Sequence, residues 1–410
     1  MHVRMFAALF ALAMGCHGAA AQSKLDIYVD ADFSVSYEAA QAIELGVRAA
    51  LDGAGGRLGG LPVDISARDH HGNAKRSRQT MQAYLDSPNA IAIFGGLHSM
   101  PYLTYREFIN GNGILLLAPW SAAGPITRAQ EGDVNWTFRL SVDDSKAGTY
   151  LVDQAMTRGG CANVALLLSD SGWGRTNQKT MTAALSLLGA EPAFIAMVSE
   201  TVGPAHANAI AGKVAASGAD CAIMLANAVE GGHVVNALHR RATGVRVFSH
   251  WGILGRDFSR MAPHAIRETV RLRVLQTCGL KIAAQRPGPI GVALAAVRAG
   301  GREAASLSDI YASPGFVHGH DLTLLLIEAA KAAALTPAWA GDITAKRAAI
   351  RDALERLDAP VAGILKDYLR PFGPYSAGRP DAHEALGAED LCMTAFTSDD
   401  RLATAPAGGD

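Results

Sequence analysis

Two wholly apolar runs, separated by a segment of helix length, dominate residues 91–127, which read IAIFGGLHSMPYLTYREFINGNGILLLAPWSAAGPIT. The pattern predicts a strand over Ile91–Phe94, a Gly95-Gly96 turn, a helix from Ser99 to Asn110, a strand over Ile114–Ala118 and a loop from Pro119 to Pro125. Short apolar runs without alternation are strands covered on both faces, and their alternation with helices specifies parallel β/α units. Such sheets bind ligands just beyond the carboxyl ends of their strands. Both loops stand at such ends, and neither carries a nucleophile facing a base. The stretch therefore points to holding a molecule rather than cleaving one.

The same grammar runs along the chain. Strands are expected at Leu25–Val29, Val63–Ala67 and Trp136–Ser141, with helices at Glu38–Leu51 and Ala74–Leu85. The glycines 53, 55, 56, 59 and 60 follow a helix, whereas a phosphate-binding loop follows a strand, so they read as a turn. After helix Ser145–Arg158 the pattern restarts, with strands Val164–Leu168, Phe194–Val198, Ala222–Ala226 and Val245–Ser249. Helices Asn177–Leu188, His206–Ser217 and Gly231–Arg241 lie between them. Val274–Leu280 is extended, Phe316–Ala334 and Ala345–Leu357 are helical, and the tail from Thr397 is small and polar. At 410 residues the chain has room for two cores. The expectation is α/β: two doubly wound parallel-sheet lobes joined by a multi-strand hinge, with a cleft that closes on a ligand. The expected division is a signal peptide over 1–21, a first lobe of 22–140 plus 278–360, a second lobe of 141–277 plus 361–395, and a flexible tail over 396–410.

Composition narrows the partners. Net charge is −1 and 18% of residues are charged, and the densest basic cluster, Lys75-Arg76-Ser77-Arg78, fits the solvent face of a helix. Nucleic acid is therefore not an expected partner. Met1–Arg4 carries positive charge, Met5–Met14 is apolar but too short to span a bilayer, and Ala19-Ala20-Ala21 makes a cleavage site before Gln22. This is the pattern of a secretory signal peptide, and the expected location is the periplasm. Leu12-Ala13-Met14-Gly15-Cys16 loosely resembles a lipobox, so a lipid anchor on Cys16 is the alternative. Cys161, Cys221, Cys278 and Cys392 remain after cleavage. An oxidising compartment permits disulfides, with three connectivities. Cys161 and Cys221 each precede an apolar strand, which favours that pair, with two buried free thiols as the alternative.

Several segments together resemble the type I periplasmic solute-binding proteins of ABC importers, in the leucine/isoleucine/valine and amide branch. They are ELGVRAALDGAGGRLGG, VDISARDHHGN, IFGGLHS, LLLAPWSAAGPIT, NWTFRLSVDDSKAG and SDSGWG. The resemblance covers about residues 24–395. It implies a Venus-flytrap monomer that captures a small-molecule ligand, needs no cofactor, and delivers the ligand to an ABC permease for transport. It also implies that Ser99, Ser121, Ala122 and Ala123 hold the ligand carboxylate, helped physically by backbone N–H groups at helix starts. Trp173 stands where the family has a tyrosine, and Trp251 where it has the acidic residue that holds an ammonium. With Trp120, these tryptophans suit an apolar or aromatic body, or a quaternary ammonium. His98 and His250 adjoin the ligand loops and are placed to donate to an oxygen or to make binding pH-dependent. The scattered histidines and cysteines have no metal-site spacing, and no hydrolase, zinc-protease or phosphate-loop motif is present, so an enzyme is not expected. The expected function is the extracytoplasmic solute-binding component of an ABC importer for an amino-acid-like or aromatic or apolar carboxylate. The alternative is a periplasmic ligand sensor that passes lobe closure to a membrane receptor.

Overall fold

The computed structural model describes residues 24–129 and 134–404. The expected signal peptide, Cys16 and residues 405–410 of the expected tail lie outside the described residues. Among the described residues, no helix is long and apolar enough to cross a membrane.

The first lobe is built on strands β1 (Leu25–Ala31), β2 (Arg57–Leu58), β3 (Leu61–Asp69), β4 (Ala90–Gly95), β5 (Leu116–Ala118) and β6 (Thr137–Arg139). Their order across the sheet is β2-β3-β1-β4-β5-β6. All six residues of β4 are buried, as an apolar run flanked by helices on both faces requires. Helices α1 (Tyr37–Gly53), α2 (Ala74–Asp86), α3 (Met100–Thr104) and α4 (Arg106–Gly111) connect these strands. The glycine run does end α1: Gly55 and Gly56 adopt φ of +75° and +68°, and Gly56 N–H donates back to Leu51 at 2.8 Å.

The second lobe begins with α5 (Asp144–Asp153) and alternates β7 (Val164–Ser169), α6 (Gly172–Leu187), β8 (Phe194–Val198), α7 (Pro204–Ala216), β9 (Cys221–Leu225), α8 (Ala228–Arg241) and β10 (Arg246–Ser249). Short helices α9 (Arg256–Met261) and α10 (His264–Thr269) lead to β11 (Arg273–Thr277). The chain then returns to the first lobe through α11 (Gly279–Ala283), α12 (Pro287–Ala299), α13 (Ser313–Ala333) and α14 (Ile343–Glu355), followed by a small ribbon of β12 (Val361–Ala362) and β13 (Asp367–Tyr368). Finally β14 (Leu391–Phe396) and β15 (Leu402–Thr404) complete the second sheet, whose order is β15-β14-β11-β10-β9-β7-β8.

Two segments depart from expectation. Residues 361–390, expected with the second lobe, are tied largely to the first. Asp321 of α13 accepts hydrogen bonds from the N–H groups of Ile364 and Leu365 at 2.8 and 3.0 Å and from the Tyr368 hydroxyl at 2.9 Å. The segment from Thr397, expected as a free tail, forms a hairpin up to Thr404: Phe396 pairs with Leu402 and Thr394 with Thr404. Backbone pairing onto a sheet edge outweighs the polar composition that suggested fraying.

Helices α1 and α13 pack almost backbone to backbone. A Cβ on Gly46 would stand 2.2 Å from the Phe316 carbonyl oxygen, and one on Gly319 2.5 Å from that of Ile43. Cys161 and Cys221 are bonded, bringing the starts of neighbouring β7 and β9 together. Cys278 and Cys392 form a second disulfide, with Cα atoms 5.1 Å apart, between β11 and antiparallel β14.

Candidate ligand cleft

In each sheet the order reverses beside the strand that begins the lobe, between β1 and β4 in the first and between β7 and β9 in the second. Loops diverge at such points and leave a crevice. The loops after β1, β4 and β5 therefore face those after β7, β9 and β10. The lobes touch there: a Cβ on Gly172 of the second would lie 3.3 Å from Met100 Sδ of the first. Arg256 lies 3.6 Å from Glu38, and Ser259 Oγ and Tyr311 OH are 2.7 Å apart.

Ser99 is buried, and its Oγ accepts from Ala123 N–H at 3.2 Å, which joins the two first-lobe loops and leaves the hydroxyl proton free to donate. Ser121 is differently engaged. Its hydroxyl donates to the carbonyls of Gly96 and His98 at 2.7 and 3.0 Å, so it cross-braces the loops rather than offering a donor to the cleft. Ala122 and Ala123 are buried in the same loop, with the Ala122 carbonyl accepting from Asp144 N–H and the Ala123 carbonyl from Arg139.

His98 Nε2 lies 3.1 Å from Ser36 Oγ and 3.3 Å from Asp32 Oδ2. Burial pushes the Asp32 carboxyl up, but His98 and the N–H groups of Val35 and Ser34 more than offset it and hold the group below the usual carboxylate range. Asp32, Asp69 and His71 bring ligand-type atoms within 4.8 Å of one another. Asp69 accepts from Phe33 N–H, His71 N–H and Ser34 Oγ, so this cluster already ties the β1 loop to the end of β3.

The three tryptophans and two histidines form a continuous aromatic seam. Trp120 is fully buried; a Cβ on Gly315 of α13 would come within 2.6 Å of its ring. His318 of α13 stands edge-on between Trp120 and Trp251, with centroids 6.2 and 6.4 Å away. Trp251 meets His250 at 4.5 Å, and His250 meets Trp173 at 5.2 Å. Trp120 and Trp251 are thus packed in the core, and of the three tryptophans only Trp173 is partly exposed.

Sequence reasoning missed the acid at the centre of this seam. Asp144 is fully buried, its Oδ1 accepts from Trp173 Nε1 at 3.2 Å and lies 3.2 Å from His250 Nε2, and its Oδ2 has no partner. In the crossing SVDDSK its neighbour Asp143 takes the N-cap role, accepting from Ser145 N–H. A buried network fixes this crossing. Arg139 donates to the Ala123 carbonyl at 2.9 Å and lies 2.8 Å from Asp143 and 2.7 Å from Glu384. Burial alone would lower the Arg139 guanidinium, but Glu384 and Asp143 push it above its usual value. Glu230, in the first turn of α8, is buried on the other lobe, and burial pushes its carboxyl up.

A family model described as periplasmic binding protein matches residues 32–263. The chain belongs to the periplasmic binding protein family. Among curated proteins, none matches. Solved structures resemble this periplasmic binding protein over nearly its whole length. A type 1 periplasmic binding protein from Bordetella pertussis Tohama I superposes with a TM-score of 0.73 at 15% identity, covering 93% of this chain and 100% of that one. An ABC transporter solute-binding protein from R. palustris in complex with benzoate gives 0.73 at 16% identity, covering 94% and 98%. A leucine-binding protein from Thermotoga maritima gives 0.73 at 12% identity, covering 94% and 99%. At such identities the likeness is one of fold.

Proposed function

We propose that this periplasmic binding protein captures a small organic carboxylate between its lobes and delivers it to an ABC permease. The observation that carries this reading is the aromatic seam at the meeting point of six strand-end loops, with the donor Ser99 at one edge and the unpaired Asp144 Oδ2 within it. In this reading Ser99 and the amides of its loops hold the carboxylate, Trp173 covers the body, and Asp144 accepts from an ammonium or hydroxyl. Asp144 would then supply the counter-charge that Trp251 lacks, so an amino-acid-like ligand and an aromatic acid both fit. Benzoate and 4-hydroxybenzoate are bound by two structural neighbours and leucine by another, which supports this class. Capture without turnover, a monomer, export through the N-terminal segment, and lobes comprising about 24–139 with 279–390 and 140–278 with 391–404 complete the proposal.

The test is calorimetry of the exported chain with leucine, benzoate and 4-hydroxybenzoate. Trp173→Ala and Ser99→Ala are expected to weaken the ligand that binds by at least about tenfold without unfolding the protein. Wild-type affinity in both variants would remove the site from this seam.

A further inference from the structure

Buried polar side-chain atoms almost always find hydrogen-bond partners, so a concentration of partnerless ones marks a place built for something else. The seam holds such a concentration. Trp120 Nε1, His318 Nδ1 and His250 Nδ1 are buried without partners, in side chains linked by the ring contacts described above. Each residue is at most a few per cent exposed: Trp120, His250 and His318 all at 0%.

The two first-lobe atoms differ in chemistry. An indole N–H can only donate. His318 Nε2 lies 2.9 Å from Thr277 Oγ1, which leaves Nδ1 as the free ring atom. The Thr277 hydroxyl can accept from Nε2–H or donate to a bare Nε2, so Nδ1 accepts in one tautomer and donates in the other. Burial lowers the imidazole to about 3, with Asp321 opposing it only weakly, so the ring is neutral and does not call for a charged partner. An indole donor and an imidazole nitrogen, on rings with centroids 6.2 Å apart, suit a group that can both accept and donate a hydrogen bond. A hydroxyl does both with one atom.

We infer that Trp120 Nε1 and His318 Nδ1 form a subsite for a hydroxyl at the end of the ligand remote from its carboxylate, making the preferred solute a hydroxylated carboxylic acid. This rests on the reading of the seam as the solute site and goes beyond it by naming a group the ligand carries. Trp120 donates to the hydroxyl oxygen, and His318 Nδ1 takes the hydroxyl proton or donates to the same oxygen, according to its tautomer. Thr277 acts as a positioning residue, since it holds the imidazole ring in place from the second lobe's last parallel strand. Because Thr277 and His318 come from opposite lobes, the imidazole is aligned only while the lobes are together at this crossing. An analogue without the hydroxyl leaves both polar atoms buried and unpaired, which is costly in proportion to how dry the seam is.

The test is calorimetry on three matched pairs: benzoate with 4-hydroxybenzoate, 3-phenylpropionate with 3-(4-hydroxyphenyl)propionate, and phenylalanine with tyrosine. The scaffold that fits is expected to show a preference of about tenfold or more for its hydroxylated member. Trp120→Phe and His318→Phe keep an aromatic ring and remove the polar atom, so each is expected to erase that preference by weakening the hydroxylated member alone. Two variants are used because either site sits in the first-lobe core; the wild-type comparison stands even if both misfold. Equal affinity within every pair that binds overturns the subsite and leaves the carboxylate reading intact, and means that water alone meets these atoms. Binding by no member of the panel overturns the subsite; if leucine does not bind either, the carboxylate reading falls with it.

Discussion

At the scale of single residues, the histidines divide by what surrounds them. His98 keeps partners at the cleft edge, whereas His70 and His318 are fully buried. Burial, with the nearby His98 charge, lowers His70 to about 4, and burial lowers His318 to about 3. An unfolded histidine titrates near 6.5. Between about pH 6.5 and pH 4 the unfolded chain therefore binds more protons at these two sites, and stability falls as pH falls. Asp30, raised to about 6 by burial, acts in the opposite sense, because the folded form takes up its proton first. The informative quantity is thus a difference between proteins. Urea unfolding at pH 7, 6 and 5 should show a shallower acid loss in His318→Gln than in wild type, by at most about 1.4 kcal/mol per pH unit. Identical slopes would mean that His318 takes up its proton as readily in the folded chain as in the unfolded one. Residue identity singled out Trp173 and Ser99 as candidates, because aromatics and hydroxyls at strand ends stand out. It could not distinguish Ser121, whose hydroxyl is spent on two carbonyls, from a ligand donor. Nor could it separate Asp144 from Asp143, since capping and cleft roles differ only in where adjacent carboxylates point.

At the scale of elements, strand prediction worked where burial is two-sided. Runs such as VALLLS and CAIML are apolar throughout because helices cover both faces, and their composition announces it. The β14–β15 hairpin was illegible for the converse reason. It is an antiparallel edge with mixed burial, split by Thr397–Arg401, and its strands are ordered by pairing to β11 rather than by their own hydrophobicity. Helices α11 and α12 were not anticipated; α12 begins at Pro287, where a missing N–H costs nothing. The closest element pairing, α1 on α13, depends on glycines that composition alone did not single out. Gly46→Ala should lower stability by about 3 kcal/mol, a fall of roughly 6–12 °C in melting temperature, because the new methyl meets backbone rather than a yielding side chain. Gly53→Ala, in the same helix with nothing within 4 Å, should be neutral or stabilising by up to about 1 kcal/mol. Calorimetry of the pair separates close packing from helix propensity, and equal melting temperatures would contradict the packing account.

At the scale of the whole molecule, the bilobed plan followed from the restart of the β/α pattern after the first crossing. The allocation of the returning segments did not, because the chain passes between lobes at points fixed by long-range partners such as Arg139 and Glu384. At the cleft flank, lobe closure is bridged by Arg401 with Asp309, Arg256 with Glu38, and Ser259 with Tyr311 at 2.7 Å. Removing the last of these in Tyr311→Phe should weaken solute affinity about two- to tenfold, as expected for one hydrogen bond made only when the lobes are together. Calorimetry with the preferred solute reads this directly, and unchanged affinity would show that the bond persists in the open form.

The Cys278–Cys392 bridge has a further consequence, which is topological. It joins residues 114 apart, on two adjacent passages of the chain between lobes. Everything from α11 to β13, the helical half of the first lobe, is therefore a closed covalent ring emerging from the second lobe. A protease that cuts once anywhere inside this ring releases no fragment: both new ends stay attached through the sulfurs, and the molecule keeps its full mass until a reductant reaches it.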